Sequence, residues 1–79
     1  MTSIRFPDDL LILETAWLRT YEDMARLPRT AGATAHRRRL LYLSRRISAH
    51  PFWAVPGHPG ATMAELRRQA RVRRWVEAA

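Results

Sequence analysis

Residues 7–27, PDDLLILETAWLRTYEDMARL, decide the fold, because they carry a long and well-marked helical pattern. Pro7 suits the first turn of a helix, and Asp8 and Asp9 place negative charge near the positive end of the helix dipole. The residues that share one face at helical spacing are apolar: Leu10, Leu13, Trp17, Tyr21 and Met24. The pattern predicts a helix over about 8–27, ended by Pro28, whose wide apolar arc packs against more than one neighbour.

Glu14 lies close to the centre of this apolar face. A buried carboxylate is costly unless it is paired, so we expect an arginine from another helix to meet it. A catalytic acid is the alternative interpretation. No second carboxylate or histidine stands at a helical spacing that would let the two act together.

Two further helices are predicted downstream. Residues 34–49 place Leu40, Leu43 and Ile47 on one face and end before the His50-Pro51 step. Thr62 and Glu65 match the capping box, in which each side chain satisfies a free backbone amide of the other residue. This signal predicts a third helix over about 62–77.

Residues 50–61, HPFWAVPGHPGA, contain three prolines and two glycines, which exclude a continuous helix or a central strand. Phe52, Trp53 and Val55 are unusual in a solvated linker. We therefore expect an ordered loop that folds its aromatic side chains over one end of the bundle; an exposed recognition loop is the alternative. The chain is predicted to be all-α, a compact three-helix bundle in a single domain over 1–79. A helical hairpin that completes its core as a homodimer is the structural alternative.

The charge of the chain is strongly uneven. It has fourteen arginines, no lysine and seven acidic side chains, for a net charge of +7. Residues 1–27 hold five of the acids, whereas residues 28–79 hold eleven arginines against Glu65 and Glu77. The positive electrostatic field of residues 28–79 favours an anionic partner, either nucleic acid or an acidic protein surface.

Several classes of function lack their signatures. Cysteine is absent, and His36, His50 and His58 are too scattered for a metal site. The serines and glycines form neither a nucleophile elbow nor a phosphate-binding loop. No signal peptide or membrane-spanning run is visible. We expect a non-enzymatic cytoplasmic protein without cofactor, metal or membrane span.

The strongest candidate site is one face of the second helix. Its members are spaced so that they lie along about two helical turns: Arg38, Arg39, Tyr42, Arg45 and Arg46. Arginine pairs bidentately with phosphate oxygens, and tyrosine offers a stacking surface for bases. A solvated helix face is the alternative.

A second basic surface lies on the third helix, formed by Arg67, Arg71 and Arg74. These side chains either extend the first surface or pair with the acids of the first helix. The leading functional hypothesis is binding of nucleic acid or another polyanion through the arginine-rich surface. The alternative is a protein–protein adaptor that docks a larger partner through these arginines and through Trp53 or Trp75, because interface hot spots favour Trp and Arg.

Overall fold

The computed structural model describes residues 4–54 and 62–78, which fold as α1 (Asp8–Ala25), α2 (Thr34–Ser48), the short α3 (Pro51–Ala54) and α4 (Met63–Ala78). No strand occurs in those two ranges. The three long helices form a compact bundle, as the sequence predicted.

The helix ends agree with the predicted ones to within two residues. α1 ends at Ala25, and the backbone N–H of Leu27 closes one more turn on the Met24 carbonyl at 3.2 Å. At the start of α4, the N–H of Glu65 donates to the Thr62 hydroxyl at 3.1 Å, so Thr62 is the expected N-cap. The Glu65 carboxylate accepts instead from Arg68 and Gln69.

The segment after α2 begins with a helical turn, which the sequence did not predict. The N–H of Phe52 donates to Nδ1 of His50 at 3.1 Å, and this bond starts α3. The four-residue turn buries Phe52, and the indole N–H of Trp53 donates to the Ile47 carbonyl at 2.8 Å. Both aromatics thus close one end of the bundle. The remainder of the predicted loop, 55–61 with Val55, lies outside the described residues.

The hydrophobic core is concentrated at this same end. It is formed by side chains from all four helices and the N-terminal segment: Phe6, Leu10, Ile47, Phe52 and Leu66. The rings of Phe6 and Phe52 lie 5.1 Å apart, in the tilted geometry that aromatic pairs favour.

α1 is the central helix, because both of the extensive helix–helix contacts in the bundle belong to it, one with α2 and one with α4. α2 is antiparallel to α1, since Trp17 bonds Ser44 while Thr20, later in α1, bonds the earlier Arg39. α4 follows the direction of α1: Glu14 pairs with Arg67 and Glu22 with Arg74.

The apolar face predicted for α1 packs against the core through Leu10, Leu13 and Trp17, but not through Tyr21. Leu10 and Glu14 are fully buried, whereas Tyr21 is half-exposed. Trp17 lies at the edge of the core, with its indole N–H bonded to Ser44 of α2 and the Arg67 guanidinium of α4 over its ring. Tyr21 lies further along α1 than the core cluster, and its ring stacks on the Trp17 ring at a centroid distance of 5.4 Å.

Candidate functional site

The outer face of α2 carries all five residues of the predicted binding surface. α2 is amphipathic: Leu43 and Ile47 are buried on one side, and the opposite side is solvent-exposed. Its exposed side chains include every predicted member: Arg38, Arg39, Tyr42, Arg45 and Arg46. We call these five residues the α2 surface.

Tyr42 and Arg46 form a local pair within the α2 surface. Nη1 of Arg46 donates to the Tyr42 hydroxyl at 3.1 Å, and its guanidinium carbon lies 5.8 Å from the ring centroid. The Tyr42 side chain nevertheless remains 54% exposed. The pair therefore presents an aromatic surface next to a positive charge, with both still open to solvent.

Arg39 occupies the edge of the α2 surface. Its Nε donates to the hydroxyl of Thr20 on α1 at 3.2 Å. The Thr20 hydroxyl in turn donates to the Ala16 carbonyl at 2.8 Å, so this arginine is tied to the bundle. Arg38 and Arg45 lie on the side of α2 opposite the buried Leu43 and Ile47, whereas Arg46 lies on the same side of the helix as Arg39.

α2 has five arginines, which are the four of the α2 surface and Arg37. None of them forms a salt bridge within the described ranges. α2 itself has no carboxylate, and all seven acidic side chains of the chain lie on α1 and α4. Residues 28–54 hold six arginines and no acid, while the rest of the chain holds eight arginines against seven acids. Nearly all of the net positive charge therefore resides on α2 and its flanks.

The α4 arginines differ from those of α2, because most of them form salt bridges with acidic side chains of α1 or α4. Nη2 of Arg74 donates to Glu22 at 2.7 Å, and this bond lowers the pKa of the Glu22 carboxyl. Arg68 pairs with Glu65 and lowers its pKa to about 2. Arg73 lies near Asp8 and Glu77.

Arg67 meets the buried carboxylate of α1, as the sequence predicted for an arginine from another helix. Its Nε donates to Oε1 of Glu14 at 3.0 Å. Burial nevertheless raises the pKa of Glu14, against the opposing effect of the Arg67 hydrogen bond. Oε2 of Glu14 is buried and has no hydrogen-bond partner within the described residues. Arg67 and Arg74 thus stabilise the α1–α4 packing.

Arg71 is the remaining member of the predicted second surface. It is exposed and has no salt bridge to any carboxylate of the described residues. It lies beside the apolar side chains Val72, Trp75 and Val76, with which it lines a shallow hollow on α4.

The two tryptophans predicted as partner contacts lie in opposite environments. Trp53 is half-buried, packs against the core and uses its N–H internally, so it is not an exposed anchor. Trp75 is 80% exposed near the end of α4. The partial burial of Trp53 agrees with the ordered aromatic loop that the sequence predicted.

Within residues 4–54 and 62–78, no group of three or more His, Asp or Glu could hold a metal ion. In the same ranges, no helix is long and apolar enough to cross a membrane. His50 lies next to an acid, with its Nε2 2.8 Å from Oδ2 of Asp9. That hydrogen bond lowers the pKa of Asp9 and joins the end of α2 to the start of α1.

The fold and the surface define a small all-α protein with one carboxylate-free arginine face. The chain belongs to a family described as a domain of unknown function, DUF8825, whose model matches residues 9–71. The match spans α1, α2 and the first half of α4. No curated protein and no solved structure shows significant similarity to the chain.

Proposed function

We propose that the protein is a small non-enzymatic binding protein that engages nucleic acid through the phosphate groups, using the α2 surface. The observation that carries the proposal is that the five arginines of α2 form no salt bridge within the described residues, although five of the seven acids on α1 and α4 pair with an arginine and Asp9 forms a hydrogen bond with His50. Guanidinium groups without an ion-pair partner are available to an external anion, because binding does not first have to break an internal ion pair.

The spacing of the outward arginines suits a polymer of phosphates. Arg38 and Arg45 are seven residues apart, which is about 10.5 Å along the helix axis at 1.5 Å per residue. Arg46 extends the row on the Tyr42 side. Such a row contacts successive phosphates along a backbone better than it surrounds a single small anion.

Tyr42 supplies the second element of the proposed interface. Its exposed ring, with the Arg46 guanidinium against it, is a surface on which an unpaired base can stack. The arginine contacts to phosphate position the protein without reading base sequence. We therefore propose binding without strong sequence preference, with a contribution from stacking when the strand is single.

The proposed partner fits a protein that works in the cytoplasm, where nucleic acid is accessible. The cytoplasmic location is part of this proposal.

The test is the salt dependence of binding to a fluorescein-labelled 20-base-pair DNA duplex, followed by anisotropy. Four phosphate contacts give a slope of log K against log[salt] of about −3.6 on duplex DNA. Arg38→Gln combined with Arg45→Gln is expected to flatten that slope by about 1.8, because two contacts are removed.

A matched control is Arg5→Gln combined with Arg68→Gln, since both residues are exposed and lie off α2. Each double variant lowers the net charge of the protein by two, so a difference between their slopes cannot come from net charge. The control is expected to keep the wild-type slope. Equal losses in the two variants would mean diffuse attraction to a basic protein, and the proposed site on α2 would be abandoned.

A further inference from the structure

The outer face of α4 carries an apolar strip that the bundle does not cover. α4 packs against α1 through Leu66 and Ala70, which are fully buried. On its other side Val72, Trp75 and Val76 are exposed, with Trp75 at 80%. We call these three residues the α4 strip.

The α4 strip forms part of a longer depression. Its members line a hollow together with Arg71. Val72 also lines a groove between α4 and the N-terminal segment, whose apolar walls include Ile4 and Leu11. The two hollows share Val72, so apolar surface continues from Trp75 towards the N-terminal segment. Isolated exposed apolar side chains are common, but a contiguous patch of this kind marks an interaction site.

Charge decides what kind of molecule fits this surface. Four arginines and one acid line the two hollows: Arg5, Arg68, Arg71, Arg73 and Asp8. Arg68 and Arg73 pair with carboxylates of this chain, whereas Arg5 and Arg71 have no salt bridge within the described residues. A second copy of this chain would place the same cations against them, and like charges across an interface oppose association. The aliphatic side chains of Val72 and Val76 offer nothing to a phosphate chain. A protein segment that is apolar on one face and acidic on its flanks satisfies both the strip and its rim.

We propose that the α4 strip docks an amphipathic helix of a partner protein, with Trp75 as the anchor and Arg5 and Arg71 contacting acidic side chains at the helix flanks. Helix-in-groove recognition uses apolar residues at helical spacing, and Trp and Arg dominate the energy of such interfaces. This surface lies on α4, apart from the α2 surface, and the proposal is independent of nucleic-acid binding.

The probe is a labelled 18-residue helical peptide with Leu at positions spaced i, i+3, i+4 and i+7 and Glu at the flanking positions, titrated with the full chain by anisotropy. Trp75→Ala is expected to raise the Kd at least tenfold, as loss of an interface anchor does. Ile12→Ala is the matched control, because Ile12 is an exposed apolar residue on α1, as exposed as Val72. It is expected to bind like the wild type, as is the Arg38→Gln/Arg45→Gln variant.

Four results would overturn the proposal. The first is equal weakening by Trp75→Ala and Ile12→Ala, and the second is equal binding of a peptide with Lys in place of Glu. The third is a concentration-dependent dimer in sedimentation that Trp75→Ala dissociates, because the occupant would then be a second copy. Circular dichroism of Trp75→Ala is expected to match the wild type, and an unfolded variant would show that Trp75 belongs to the fold and is not a docking anchor.

Discussion

Replacing Arg67 by methionine removes the one cation that pairs with the buried Glu14, while keeping an apolar side chain over Trp17. Nε of Arg67 lies 3.0 Å from Oε1 of Glu14, whose side chain is 1% exposed. Without this partner, two protonation states of the Glu14 carboxyl are possible in the folded protein. It stays charged in a dry environment, or it takes up a proton.

Proton uptake sets a ceiling on the cost at pH 7. The ordinary pKa of the group is 4.5, and each unit between that value and pH 7 costs about 1.36 kcal/mol, so protonation costs about 3.4 kcal/mol. Loss of the contact between Arg67 and the Trp17 ring, 4.7 Å from guanidinium carbon to centroid, adds about 0.5–1 kcal/mol. Part of the burial penalty is already present in the wild type, where the pKa of Glu14 is raised. We expect Arg67→Met to lower the free energy of unfolding by about 2–4 kcal/mol at pH 7.

The pH dependence of this loss identifies its cause. A carboxyl whose folded pKa is raised contributes its full stability below the unfolded pKa and loses it as the pH rises through the folded pKa. The loss in Arg67→Met is therefore expected to shrink to about 1 kcal/mol at pH 4.5. Urea unfolding followed by circular dichroism at the two pH values measures it. In Glu14→Leu/Arg67→Met both charges are gone, and stability is expected to return to within about 1 kcal/mol of the wild type.

Arg68→Met is the control, because Arg68 pairs with Glu65 at the exposed surface of α4. Its loss of stability is expected to be small and much less than that of Arg67→Met, because solvent screens an exposed ion pair. A deficit in Arg67→Met that is the same at pH 7 and pH 4.5 would refute the assignment of Glu14 as the source of the penalty.

Two further predictions concern the helix cap and acid stability. Thr62→Ala removes the hydroxyl that accepts from the Glu65 N–H and is expected to lower the free energy of unfolding by about 1 kcal/mol, whereas Thr62→Ser retains it; equal losses would show that the cap bond contributes nothing. Asp9, Glu22 and Glu65 all have lowered pKa values, the last about 2, so their contributions are present above their ordinary pKa and are lost as the pH falls through the folded one. The melting temperature measured by circular dichroism is expected to drop progressively between pH 4.5 and 2, and a constant value over that range would contradict the role of these ion pairs.

Most of the secondary structure could be predicted because its signals are local. Pro7 with the two aspartates, the apolar spacing of α2, and Thr62 with Glu65 each act within a few residues. The exposure of the α2 surface followed from the same periodicity, because Leu43 and Ile47 fix which side of the helix is buried. The arginine partner of Glu14 followed from the cost of burying a charge.

The remaining features depend on contacts between residues far apart in the chain. Tyr21 shares the predicted apolar face with Leu10, yet it is half-exposed, because the core cluster lies around the beginning of α1 and Tyr21 lies near its end. Trp53 is held by a bond to Ile47, whereas Trp75 has turned away from α1 on the far side of α4. Arg67 pairs with Glu14 and Arg74 with Glu22 because α1 and α4 run parallel. More than thirty residues separate the two helices, so local sequence signals do not reveal this alignment.

The central position of α1 has a consequence for how this chain can vary. α2 and α4 are each anchored to α1, and no comparable contact joins them to one another. Substitutions at distant positions without shared neighbours have nearly additive effects on stability. The outward faces of α2 and α4 can therefore accumulate changes separately, while the side of α1 that bears Leu10, Glu14 and Trp17 is constrained by both. In related chains, the sequences of the outward faces of α2 and α4 are therefore expected to diverge independently, while the sequence of α1 changes more slowly.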